Sequence, residues 1–91
     1  MDWGELLGQT LIGAVGFVQM QKWMEIENPT TLRFTIRGDI RDLSPDTTRS
    51  WLRALDTAIQ NFAMMDNHAL RDQGTMVREI MIEEAERRDN L

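Results

Sequence analysis

The chain has 91 residues, no cysteine and a formal net charge of −5. That length points to one small domain, 1–91, with no second core. The lack of thiols excludes disulfides and thiolate metal sites, and the acidic balance argues against general binding of polyanions.

The charge is unevenly spread. Residues 1–32 carry one Lys and four acids, residues 33–53 five Arg and three Asp, and residues 54–91 four Arg and eight acids. Only the middle segment is basic. Met1 is followed by Asp2 and Glu5 with no basic n-region, so no secretory signal is expected and a cytoplasmic location is inferred. The most apolar run, Leu11 to Val18, is too short for a bilayer span, which needs about 20 predominantly apolar residues.

In chain order, Trp3, Leu7, Leu11, Ala14 and Val18 fall on one helical stripe from Asp2 to about Met20. Gly4, Gly8, Gly13 and Gly16 weaken it, each by about 1 kcal/mol relative to Ala, so a helix here needs another backbone packed close. Residues 18–26 have two readings. Either that helix continues, or Val18, Met20, Met24 and Ile26 alternate along a strand. Asn28-Pro29 reads as a turn. Leu32, Phe34 and Ile36 then alternate with Arg33, Thr35 and Arg37, the pattern of a half-buried strand over 31–37. A lone strand cannot satisfy its backbone groups. It needs residues 18–26 as a hairpin partner, or the same strand of a second chain.

Ser44-Pro45-Asp46 supplies an N-cap, a proline at the first helical position and an acid in the first turn. Trp51, Leu55, Ile59 and Phe62 follow at helical spacing, which predicts an amphipathic helix over about 45–65. A second is predicted over about 68–88, with Leu70, Val77, Ile80 and Met81 on its apolar face and Gly74-Thr75 as a candidate break. Glu83 with Arg87 and Glu84 with Arg88 form i, i+4 pairs on it. The expected class is therefore α+β, mostly α: an N-terminal Gly-rich apolar helix, one or two short strands (around 18–26 and 31–37), then two amphipathic helices.

Little here carries chemistry. His68, the only histidine, has no second His or Cys to complete a metal or nucleophilic site. Glu79, Glu83, Glu84 and Glu86 share a helix with Arg78, Arg87 and Arg88, the mix of a solvated face. Arg37-Gly38-Asp39 matches an integrin-binding tripeptide, but a strand ending at a Gly-Asp turn explains it more simply. No phosphate-cradling glycine motif occurs. Neither enzymatic activity nor a cofactor or metal is expected.

The function expected is that of a small non-catalytic interaction or assembly module, a homo-oligomer or an accessory subunit of a larger complex. Seven Met, three Trp and three Phe are many adhesive side chains for so short a chain. Met adapts to irregular contacts and Trp is enriched at binding hot spots. Candidate interface residues are Trp3, Leu7, Leu32, Phe34, Ile36, Trp51 and Met81. As an alternative, a strand with Arg33, Thr35 and Arg37 on its solvent face, followed by helix, turn and helix, resembles the ribbon-helix-helix DNA-binding proteins. The resemblance covers roughly the last two thirds of the chain. It implies two chains that pair their strands and set the ribbon in the major groove, where Arg reads guanine edges. A second alternative is peripheral membrane association through residues 3–26, with Trp3, Phe17 and Trp23 at the interface. Protein partners rank first, above nucleic acid and membrane.

Overall fold

The computed structural model of the chain describes residues 14–89. Trp3 and Leu7 lie outside them, with most of the Gly-rich apolar segment. The described residues form four α-helices: α1 (Ala14–Met24), α2 (Pro29–Asp39), α3 (Pro45–Met64) and α4 (His68–Arg87). They contain no strand. The α+β class expected from sequence is therefore wrong for this region, which is all helical.

Both strand assignments fail for local reasons. At 18–26 the helix continues: α1 runs to Met24, and Glu25 N and Ile26 N bond back to Lys22 O and Trp23 O at 3.2 and 3.1 Å. Met20, Trp23 and Met24 are buried at the i, i+3, i+4 spacing of one helix face. At 31–37 the residues lie inside α2. Asn28 is its N-cap, with Oδ1 accepting from Thr30 N at 2.9 Å and Thr31 N at 3.2 Å, and Pro29 occupies the first helical position. The dipeptide read as a turn is thus the start signal already recognised at Ser44-Pro45.

The alternation of apolar residues misled because of one side chain. Leu32, Ile36 and Ile40 have no exposed surface and form an i, i+4, i+8 stripe, whereas Phe34 is 71% exposed. The β-branched Thr30, Thr31, Thr35 and Ile36 add strand propensity, but propensity is a weak preference that capping and burial override.

The helices expected over 45–65 and 68–88 are α3 and α4. Ser44 Oγ accepts from Thr47 N at 3.1 Å, and the buried Thr48 hydroxyl donates to Ser44 O at 3.0 Å. At the other end of α3, Asp66 N bonds Ala63 O at 3.1 Å and Asn67 N bonds Phe62 O at 2.8 Å. These are the two bonds of a Schellman cap, with Asp66 at the left-handed position (φ 57°) that glycine usually fills. Asn67 Oδ1 then accepts from Leu70 N at 3.2 Å and caps α4. One dipeptide closes α3 and opens α4, which explains the short connection.

Gly74-Thr75 does not interrupt α4. Gly74 is buried, and a Cβ there would lie 2.9 Å from Ile59 Cγ1. The glycine lets α3 come close. Gly16 plays the same part on α1, where a Cβ would lie 2.9 Å from Trp51 Nε1. α4 packs on each of the other helices, most extensively on α3. The core joins Met20 and Trp23, Leu32 and Ile36, Ile40, Trp51, Leu55 and Phe62, and Val77 and Met81. The Trp23 and Trp51 rings meet in a tilted pair with centroids 5.5 Å apart. Each fully buried aliphatic or aromatic side chain of this kind contributes about 1.5–3 kcal/mol. No helix among the described residues is long and apolar enough to cross a membrane.

Candidate functional site

The chemistry of the described chain concentrates on α2, whose sequence gives it three distinct sides. Leu32, Ile36 and Ile40 face inward. Arg33 and Arg37, one turn apart, face the C-terminal half of α4. Thr30, Thr31, Phe34 and Gly38 face outward and are exposed.

The second side is an ion cluster around Glu84, whose side chain has no exposed surface. Arg37 Nε donates to Glu84 Oε2 at 2.9 Å and Arg37 Nη2 to Glu84 Oε1 at 3.1 Å. Arg33 Nη1 donates to Glu83 Oε2 at 2.5 Å and lies 3.4 Å from Glu84 Oε1. The hydrogen bonds from Arg37 hold the Glu84 carboxyl below the usual carboxylate range, outweighing its burial, which acts the other way. The same bonds raise Arg37 above the ordinary guanidinium value, and the bond to Glu83 does so for Arg33. Every charge here has a partner, so the cluster clamps α2 onto α4 and offers no displaced proton for catalysis. The Arg37 guanidinium carbon also lies 5.6 Å from the centroid of the Phe34 ring, a cation–π contact that joins the clamp to the outer side.

Of the candidate interface residues, Leu32, Ile36, Trp51 and Met81 belong to the core, with at most 3% of their surface exposed. They are part of the core that holds the helices together. Phe34 alone among the described candidates faces outward. The candidate nucleic-acid contacts are not on a ribbon. Arg33 and Arg37 are bound to glutamates, and the Thr35 hydroxyl donates to Thr31 O at 2.9 Å within the helix. The strand on which the ribbon-helix-helix resemblance rests is a helix here. Arg37-Gly38-Asp39 is likewise tied inward, since Asp39 Oδ2 accepts from Trp23 Nε1 at 2.7 Å. Trp23, one of the three aromatics the membrane reading relies on, is buried in the core, and that bond satisfies its indole N–H. Glu83 and Glu84 turn to α2 rather than to Arg87 and Arg88, against the i, i+4 pairing expected within α4.

Among the described residues three further large apolar side chains are exposed: Val18 at 54%, Met64 at 82% and Met65 at 38%. Val18 belongs by spacing to the apolar stripe of the first helix, yet its side chain faces out. Met64 falls opposite Phe62, the last buried residue of α3, whereas Met65 lies on the Phe62 side but at the C-cap, where the helix ends. His68 is exposed at the first position of α4. Among the described residues no three His, Asp or Glu side chains converge as a metal site would require. No protein-family model, curated protein or solved structure matches the chain.

Proposed function

We propose that the chain is a small non-catalytic module that works by binding another protein chain, as a homo-oligomer or as an accessory subunit of a larger assembly. The observation that carries this reading is Phe34, an aromatic side chain 71% exposed on a helix fixed from behind by buried Leu32 and Ile36. A rigid element that presents an aromatic loses little conformational entropy on binding, and large aromatics in that position are typical anchors of interfaces. The basic side chains of α2 point to a protein partner rather than to a polyanion, because Arg33 and Arg37 are neutralised by Glu83 and Glu84.

The test is capture from the host with the chain as bait, wild type against Phe34→Ala, alongside light scattering of the purified protein. Assembly or capture that depends on Phe34 is expected. A chain that stays monomeric and captures the same proteins in both forms overturns the reading.

A further inference from the structure

The chain has seven methionines and no cysteine, so all of its sulfur chemistry is that of thioethers. A thioether is oxidised to the sulfoxide where an oxidant reaches the sulfur. Met1 lies outside the described residues, and the fold sorts the other methionines sharply by access. Met20 and Met81 are fully buried and Met24 keeps 7% of its surface. Met76 is half-buried against the core. Met64 is 82% exposed and Met65 38%. These two are neighbours at the end of α3, and Ala63 and Asp66 on either side are exposed as well.

From this sorting we infer that Met64, with Met65 beside it, is the site among the described residues at which a hydroperoxide oxidises the chain, reversibly and without loss of the fold. The step balances with the peroxide as oxidant. The Met64 sulfur lone pair attacks one peroxide oxygen, an S–O bond forms and the O–O bond breaks. The thioether gives up two electrons and becomes the sulfoxide. The departing hydroxide takes the proton left on the transferred oxygen and becomes water.

The fold survives because it asks nothing of either thioether. Neither side chain belongs to the core cluster. The cap in which they stand is closed by backbone groups: Met65 N bonds Asn61 O at 3.0 Å, and Asp66 N and Asn67 N bond Ala63 O and Phe62 O. A sulfoxide oxygen on an outward side chain keeps its hydration. At Met20, Met24 or Met81 the same oxygen would be a polar group taken out of water, which is costly. The oxidant also reaches those sulfurs only when the helices open. An exposed sulfoxide is open in turn to methionine sulfoxide reductases, one enzyme for each epimer, which return the thioether. Nothing in this chemistry involves Phe34 or α2.

A time course of the full, folded chain in hydrogen peroxide, read by mass spectrometry of tryptic peptides, tests this. Cleavage after Arg53 and Arg71 puts Met64 and Met65 in one peptide, 54–71, while Met24, Met76 and Met81 fall in separate ones. Peptide 54–71 is expected to gain one oxygen and then a second roughly ten times faster than the Met24 and Met81 peptides, with Met76 between them. Fragmentation is expected to place the first oxygen on Met64. In urea the rates converge, and in Met64→Leu plus Met65→Leu the fast phase disappears. The chain carrying both sulfoxides is expected to keep its helical circular dichroism and its melting temperature, and the two reductases together to remove both oxygens. A folded chain in which Met24 or Met81 is oxidised as fast as Met64 overturns the inference. So does loss of helix once only Met64 and Met65 carry oxygen, and so do sulfoxides that the reductases remove only from the unfolded chain.

Discussion

Arg37 closes on Glu84 through two hydrogen bonds, Nε to Oε2 at 2.9 Å and Nη2 to Oε1 at 3.1 Å, across 47 residues of sequence. The partners are not equivalent, since Glu84 has no exposed surface while Arg37 keeps a third of its side chain in water. Removing Glu84 leaves Arg37 partly in water, whereas removing Arg37 leaves Glu84 in the interior with only the longer Arg33 contact at 3.4 Å. Arg37→Met is therefore expected to lower the urea midpoint more than Glu84→Met, which should stay within about 1 kcal/mol of wild type. The double variant should recover most of what Arg37→Met loses.

The same contact sets an acid limit on stability. The folded Glu84 carboxyl lies below its unfolded value, chiefly through the Arg37 bond, so the unfolded chain binds more protons in acid. Its contribution is complete above the ordinary carboxylate range and is lost as the pH falls through that range to the depressed folded value. Glu84→Gln removes the titrating group. Unfolding midpoints measured from neutral into acid should fall less steeply for this variant than for wild type.

The three helical glycines among the described residues are expected to respond to alanine with opposite signs. At Gly74 and Gly16 a Cβ would press on Ile59 and on the Trp51 ring, both stiff side chains. Overpacking costs about 1–3 kcal/mol, against a helix-propensity gain of about 1 kcal/mol; a net loss is expected at each. At Gly38, where a Cβ meets no neighbouring atom within 4 Å, only the gain applies, so Gly38→Ala should stabilise by about 0.5–1 kcal/mol. Chemical denaturation of the three variants measures this directly.

Leu32, Phe34 and Ile36 separate helix from strand by experiment. On a strand all three share a face and truncation at each should cost alike. On α2 the costs diverge: about 2–5 kcal/mol for Leu32→Ala and Ile36→Ala, and within about 0.5 kcal/mol for Phe34→Ala.

Where the sequence was legible, a local signal sufficed. Ser44-Pro45-Asp46 and the Trp51, Leu55, Phe62 spacing predicted α3, and Leu70, Val77, Ile80 and Met81 predicted α4. The same cap-plus-proline signal stands at Asn28-Pro29, but the alternating run after it imitates period two and makes it resemble a turn. Extending the window by four residues to Ile40 would have shown the helical stripe Leu32, Ile36, Ile40. The Arg33 and Arg37 spacing carried the helical period as well. Their partners, Glu83 and Glu84, are some fifty residues away, and no local pattern announces a contact at that range. The reason for Gly74 was equally invisible, since it lies in Ile59 of a neighbouring helix.

The outer side of α2 as a contact surface is tested most directly by amide NMR spectra recorded from low micromolar to millimolar concentration. The expected result is a set of shifts at Thr30, Thr31, Phe34 and Gly38 that grow with the concentration of the chain or of a captured partner, and disappear in Phe34→Ala. Spectra that change neither with concentration nor on adding a captured partner, or changes confined to the surface around Val18, Met64 and Met65, would contradict it.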